Sequence, residues 1–243
     1  MSETICIDGV EVSFEPGQTI MDAALAVGIY IPHLCHKPGL KPHGSCKLCT
    51  VEVDGRSTSA CTTPAVAGQQ VVNNTRALNE VRKSITQMLF IEGNHLCPSC
   101  EKSGDCTLQA VAYHLGMLDG HFQQLYPRRE IDASHPDVVL DRDRCILCEL
   151  CVRASRELDG KNVFAIGGCG INAKLIVNAA SGRLGDTDLD VSDQAAHVCP
   201  VGAILIKGHA YEVPIGSRTF DRQTVAETGI AEVPLVKTEH RDE

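Results

Sequence analysis
No apolar run in this chain approaches the ~20 residues that a membrane-spanning helix needs. Excess positive charge is missing too: the formal net charge is −9, which argues against nucleic-acid binding, a task that calls for a basic face. Met1-Ser2-Glu3-Thr4 is acidic and polar, and no cleavable apolar region follows it, so no export signal is expected. No phosphate-cradling loop, no flavin or nicotinamide fold, and no Ser/His/Asp or paired-carboxylate constellation can be picked out. The turn Gly167-Gly168-Cys169-Gly170 lacks both the spacing of a dinucleotide fingerprint and an opening helix.

What is abundant is cysteine. The chain has 13, an odd number, gathered into C-x2-C groups rather than dispersed as in a small secreted domain. A reducing, cytoplasmic setting with thiolates committed to metal accounts for that pattern. Cys145, Cys148 and Cys151 follow one another at two-residue gaps and are answered by Cys199-Pro200. Short gaps let one tight loop aim three thiolates at three irons of a cube, while a remote cysteine reaches the fourth. With one triplet and one distant Cys-Pro, the arithmetic is a single [4Fe-4S] cluster on these four residues. Zinc is the competing reading, but zinc sites usually come as paired C-x2-C arms rather than as a triplet.

Residues 1–75 read as a small β-rich unit of the β-grasp ferredoxin type. Thr4–Ile7 and Val10–Phe14 flank Asp8-Gly9, a hairpin signal. Thr19 caps a short helix with Asp22 three residues on, Gly28 ends it, and Thr50–Val53 resumes a strand before Asp54-Gly55. Gln70–Val72 is expected to close the sheet. Cys35, Cys46, Cys49 and Cys61, spaced C-x10-C-x2-C-x11-C, sit in loops around that sheet. The set fits a [2Fe-2S] cluster, whose two irons each need a pair of thiolates. A Rieske site does not fit, because the third residue after Cys46 is a cysteine. His33, His36 and His43 read as loop residues around the ligands, and Cys6 as a buried strand residue.

From Arg76 to Ile91 the period lengthens to that of a helix, with Leu78, Val81, Ile85, Met88 and Leu89 as its core stripe. Then come His95, Cys97, Cys100 and Cys106. Three cysteines make an incomplete cubane site, and His95 is the nearest fourth donor. Alternatively the imidazole only hydrogen-bonds and one corner is open. A second helix is expected over residues 107–118, ending a helical unit 76–120. A polar connector leads to a third unit, 137–208, with strands at 137–140, 163–166, 174–177 and 201–206. Cys169 is expected to be a non-ligand, since four better-placed thiolates complete the cube. Residues 209–243 read as an extended or disordered tail. The fold class expected is α+β: a β-grasp [2Fe-2S] domain, a helical His/Cys3 [4Fe-4S] domain and a C-terminal ferredoxin-like [4Fe-4S] domain. Clusters held by protein ligands, with no evident substrate pocket, mostly move electrons. A chain of this kind needs a donor and an acceptor, so it should be a subunit.

These three motifs, in this order over residues 3–208, resemble the N-terminal region of the large iron–sulfur subunit of respiratory complex I. The first two also resemble the front end of [FeFe]-hydrogenases. In both families the chain continues into a large domain. A free-standing version of this length is similar to the small iron–sulfur (diaphorase) subunits of cytoplasmic NAD-reducing [NiFe]-hydrogenases. The resemblance implies a hetero-oligomer with an FMN- and NAD-binding flavoprotein subunit and with [NiFe]-hydrogenase subunits; an NAD-dependent formate dehydrogenase or a complex-I-like diaphorase would use the same relay. The spacing departs at one point: the complex I pattern has three residues between His and the first Cys, whereas only Leu96 separates His95 from Cys97.

Overall fold
The computed structural model describes residues 3–236. Strands β1 (Glu3–Ile7) and β2 (Val10–Phe14) form a hairpin in which Ile7 pairs with Val10. Its two-residue turn needs positive φ at both positions, and Asp8 (φ 49°) and Gly9 (φ 85°) supply it. Alternation then turns Ile5, Ile7, Val12 and Phe14 inward. Helix α1 (Ile20–Ala26) begins with a reciprocal capping box: the Thr19 hydroxyl accepts from the Asp22 amide, and the Asp22 carboxylate accepts from the Thr19 amide. It ends in a Schellman motif with Gly28 at φ 78°, where the Ile29 amide donates to the Ala24 carbonyl at 2.9 Å. Ile20, Met21, Ala23 and Ala24 pack onto the inward residues of the sheet.

Strands β3 (Thr50–Val53) and β4 (Arg56–Ser59) form a second hairpin around Asp54-Gly55. Strand β5 (Gln70–Val72) does not close this sheet at an edge. It lies in the middle, parallel to β1 and antiparallel to β3, giving the order β2-β1-β5-β3-β4. Two local hairpins are thus joined by one short strand that arrives last.

Helix α2 spans Arg76–Ile91, with the Thr75 hydroxyl capping the Leu78 amide. Its buried face differs from the expected stripe. Val81 and Met88 are 50% and 47% exposed, and the residues turned inward include Leu78, Arg82, Thr86 and Gln87, with Ile85 and Leu89 partly buried. Two of the polar groups enter with partners, Arg82 as described below and the Thr86 hydroxyl by donating to the Arg82 carbonyl at 2.8 Å, whereas Gln87 Nε2 is buried with none. Helix α3 (Thr107–His114) is shorter than expected; the backbone turns at Gly116, φ 66°.

The connector holds a short strand, β6 (Ile131–Asp132), which pairs with β7 (Val138–Asp141). Inside the cysteine triplet begins α4 (Leu150–Glu157), with Cys151 as its second residue, a helix not expected from the sequence. A hairpin of β8 (Phe164–Gly167) and β9 (Lys174–Val177) follows, then the single turn α5 (Gln194–His197) and strand β10 (Ile204–Ile206), which completes a three-stranded sheet of order β10-β7-β6. The C-terminal segment corrects the expectation of an extended tail. It carries α6 (Thr219–Arg222) and α7 (Val225–Ile230) and packs back on its own chain. Val225 is buried beside Leu34, Leu108 and Val111, Lys37 pairs with Glu232 at 2.5 Å, and the Leu235 amide donates to the Pro38 carbonyl at 2.9 Å. The remainder of the expected tail, 237–243, lies outside the described residues.

Candidate iron–sulfur sites
The first set sits where the loop after α1 meets the two ends of the β3–β4 hairpin. Cys49 immediately precedes β3 and Cys61 follows β4, so the hairpin itself brings their sulfurs to 3.3 Å. Cys35 arrives on the opposite loop, where its sulfur accepts from the Cys46 amide at 3.5 Å. Hydrogen bonds from Cys46 and Cys61 hold the Cys35 thiol far below the ordinary thiol value, and Cys61 lowers Cys49 in the same way. Cys46 and Cys61 rise in return. Four sulfurs close enough to share protons, two of them already favouring the thiolate, suit a centre that needs two thiolates at each of two irons. Around them His33 and His36 are buried, with His33 Nδ1 2.8 Å from the Ile31 carbonyl oxygen. Cys6 is half-buried on β1, away from this group.

The second set surrounds a 3-10 turn, Cys97–Ser99, with Cys100 just beyond it and Cys106 at the mouth of α3. Burial, reinforced by the charges of Cys97 and Cys100, pushes Cys106 up to about 12. Burial, followed by Arg144 and Arg129, lowers His95 to about 4, which keeps the imidazole neutral and able to donate a lone pair. Its Nε2 is buried with no hydrogen-bond partner. An orphaned ring nitrogen that lines one cavity with Cys97 is compatible with an iron ligand in the bare chain. Next to Gly93, the Asn94 amide donates to the Asp143 carbonyl at 2.8 Å, which ties the His95 loop to the segment leading into the third set.

The third set lies on the turn into α4. Leu147 and Glu149 are left-handed (φ 54° and 59°), which tightens the loop so that Cys145, Cys148 and Cys151 face the same interior as Cys199. Burial and then the charge of Cys199 lift Cys148; Cys151 rises through burial and then the charge of Cys148, and Cys145, mainly through burial, reaches about 11. Thiols this reluctant to ionise become thiolates when a metal supplies compensating positive charge, with release of their protons. Cys169, by contrast, is exposed on its glycine turn. Among the described residues no three His, Cys, Asp or Glu side chains converge as a single ion would require; a cluster spreads its ligands over separate irons.

The three loops are not arranged in space as they are in sequence. Cys35 is buried with Cys148 and Cys151 in one cluster, and its charge reaches Cys148. On the other side, the Thr107 amide next to Cys106 donates to the Pro200 carbonyl at 2.9 Å, and Arg144 Nη1 lies 3.8 Å from the Cys100 sulfur. The triplet-and-Cys199 loop therefore touches both of the others, and Cys46 and Cys106 also share one apolar cluster.

Three family profiles match in order. The 2Fe-2S iron-sulfur cluster binding domain covers residues 3–76, the NADH-ubiquinone oxidoreductase-G iron-sulfur binding region 82–121, and the 4Fe-4S single cluster domain 138–206. The chain is 38% identical to the gamma subunit of the NAD-reducing hydrogenase HoxS of Cupriavidus necator, over 93% of this chain and 96% of that subunit. The chain belongs to the NAD-reducing hydrogenase gamma-subunit family. A crystal structure of an NAD+-reducing [NiFe]-hydrogenase in the H2-reduced state contains a chain with 54% identity and a TM-score of 0.90, covering 92% of this gamma-family chain and 95% of that one. One NADH-quinone oxidoreductase subunit of Mycobacterium tuberculosis is 33% identical, but the match spans 27% of its length. The alpha subunit of the NADPH-Fe(3+) oxidoreductase of Geobacter sulfurreducens is 31% identical over 24% of its length. The family is thus an iron–sulfur one, with a [2Fe-2S] domain followed by [4Fe-4S] domains in a mixed α/β chain.

Residues that the sequence reading did not single out also shape these sites. Arg82 and Arg153 are both buried on helices and donate to carbonyls of the ligand loops. Arginines at helical spacing look like solvated surface charge, and nothing local distinguishes them.

Proposed function
We propose that this chain conducts electrons within a hydrogenase that couples H2 oxidation to NAD+ reduction, between an FMN- and NAD-binding flavoprotein subunit and the [NiFe] module. The observation that carries the reading is the near full-length correspondence to the Cupriavidus necator gamma subunit, in contrast to the quarter-length matches in the complex I relatives. The ligands proposed are Cys35, Cys46, Cys49 and Cys61 for one [2Fe-2S] cluster, His95, Cys97, Cys100 and Cys106 for one [4Fe-4S] cluster, and Cys145, Cys148, Cys151 and Cys199 for the other. When bound, such clusters take up and release single electrons. The chain's residues hold the ligands on tight loops, keep His95 neutral and exclude water from most of the thiols. The loop contacts support a spatial order in which the all-cysteine [4Fe-4S] site is the middle one.

The domain division that goes with this reading is 1–75, 76–120 and 137–208, the first a β-grasp unit supported by its five-stranded sheet with α1 across one face. A cytoplasmic hetero-oligomer follows from the same reading. Among the described residues no helix is long and apolar enough to cross a membrane. Iron, zinc and acid-labile sulfide on anaerobically purified protein test it. About ten iron and ten sulfide per chain are expected; zinc with little sulfide would overturn the relay, and co-purification of molybdenum in place of nickel would point to a formate dehydrogenase instead.

A further inference from the structure
The Arg153 side chain is only 3% exposed, on the first turn of α4. Its four hydrogen bonds all end on main-chain carbonyls. Nη2 donates to Cys35 at 2.6 Å and to Cys148 at 3.3 Å, Nη1 to Lys41 at 2.7 Å and Nε to Glu149 at 3.3 Å. Two of these acceptors lie on the loop that carries Cys35 and Cys46, and two on the loop that carries Cys145, Cys148 and Cys151. One nitrogen therefore bonds a ligand residue of each of two different sites.

The surrounding charges make the arrangement unusual. A buried guanidinium is strongly disfavoured unless something anionic compensates it. The nearby carboxylates are shared with other partners: Glu157 accepts from the Lys41 amide at 3.1 Å and pairs with Arg156, with the Arg153 charge a lesser influence on it, and Glu149 faces His43 at 3.1 Å. Thiolate-bound clusters on either side would add the larger share of negative charge, at the two sites whose carbonyls hold the fork. Carbonyl dipoles bind the fork, and its permanent charge faces both sites.

We propose that Arg153 is a positioning residue shared by the [2Fe-2S] site and the all-cysteine [4Fe-4S] site, locking their loops together and raising the reduction potentials of both in common. This rests on the cluster assignment proposed above. Each reduction adds one electron and no proton to its site, and a fixed positive charge nearby favours the reduced form. Because one charge serves two sites, its removal moves two potentials, not one.

The test is an EPR-monitored redox titration of the full-length, cluster-loaded chain. Wild-type protein lacking either signal would sink the cluster assignment, and the proposal with it. Given both signals, Arg153→Gln is expected to lower both midpoints by about tenfold in the reduction equilibrium, about 59 mV for one electron. Arg153→Lys, which keeps the charge and loses the fork, should give a smaller common fall. Arg156→Gln removes the same charge from an exposed position of the same helix (side chain 59% exposed) and should leave both unchanged. A shift confined to one site, no shift in Arg153→Gln, or equal shifts in the Lys and Gln variants would overturn the proposal. If Arg153→Gln does not retain iron, Arg153→Lys decides alone: a common fall supports the bridge, and a fall at one site or none refutes it.

Discussion

Replacing Arg82, on α2, by methionine should be among the most damaging single changes for the adjoining first domain. The guanidinium is 1% exposed and makes five hydrogen bonds: to the carbonyls of Leu48, Thr50 and Asn73 and to the side-chain oxygens of Asn73 and Asn79. Leu48 and Thr50 bracket Cys49, so α2 holds the ligand loop through this one side chain. Burial pulls the guanidinium below its ordinary range, and the charge of Cys49 opposes that. Methionine fills much of the stem's volume but leaves the three carbonyls without their donor, at about 1–3 kcal/mol for each that stays dry. Relief of the arginine's own desolvation offsets part of this. The net loss expected is about 3–5 kcal/mol, the range seen when one member of a buried charged arrangement is removed. For a unit of this size that is a fall of roughly 15 °C or more in the thermal midpoint. The assay is thermal loss of cluster absorbance and of far-UV ellipticity in the full chain, with Arg82→Lys recovering only part of the deficit. A fall below about 4 °C, equivalent to about 1 kcal/mol, would refute the assignment of Arg82 as the clamp on the Cys49 loop.

His95→Cys should keep its cluster but lower the potential, because a thiolate replaces a neutral imidazole; an unshifted EPR titration would remove His95 from the ligand set. Truncation after His209 should leave the clusters in place yet destabilise the chain by about 3 kcal/mol, since Val225 and Phe220 lose their burial against α3 and the Lys37–Glu232 pair is lost; unchanged urea unfolding and protease resistance would contradict this, and undiminished partner assembly on gel filtration would dismiss a docking role for the segment. His36 is 5% exposed, and burial, then His33, lowers its pKa to about 4 from 6.5. Folding favours its neutral form, so the stability it contributes is present above pH ~6.5 and is lost as pH falls toward 4, about 2 kcal/mol of it by pH 5. His36→Phe should flatten the difference in urea midpoint between pH 7.5 and pH 5, and an unchanged slope would count against it.

Much of this molecule could be read from short stretches because its determinants are local. Asp8-Gly9 and Asp54-Gly55 specify their hairpins by backbone conformation alone, and Thr19 with Asp22 starts α1 by satisfying neighbouring amides. The bounds of α2 followed from its period. All three ligand sets stood out because cysteine at fixed short gaps has few uses other than metal. The same local view failed where a position is chosen by distant partners. Gln70–Val72 looked like a closing strand, yet it lies between β1 and β3, since only the assembled hairpins offer two edges to it. Helix α4 was hidden by its composition: Arg153 and Ser155 are buried in it and dilute the apolar stripe.

By itself, then, the amino-acid order determined which cysteine groups are candidates for metal, which turns are tight and where the largest helix begins and ends, all matters set within a few residues by φ, hydrogen-bond and thiolate requirements. Only the tertiary structure decided that the third motif touches both of the first two, that the segment after His209 folds back over Leu34 and Leu108, and that Arg82 and Arg153 are buried against the ligand loops. Those outcomes depend on which carbonyls and apolar surfaces meet across long stretches of chain, as Arg82 and Leu48 do at a separation of 34 and Arg153 and Cys35 at 118. A buried charge is tolerable only where such remote partners converge on it.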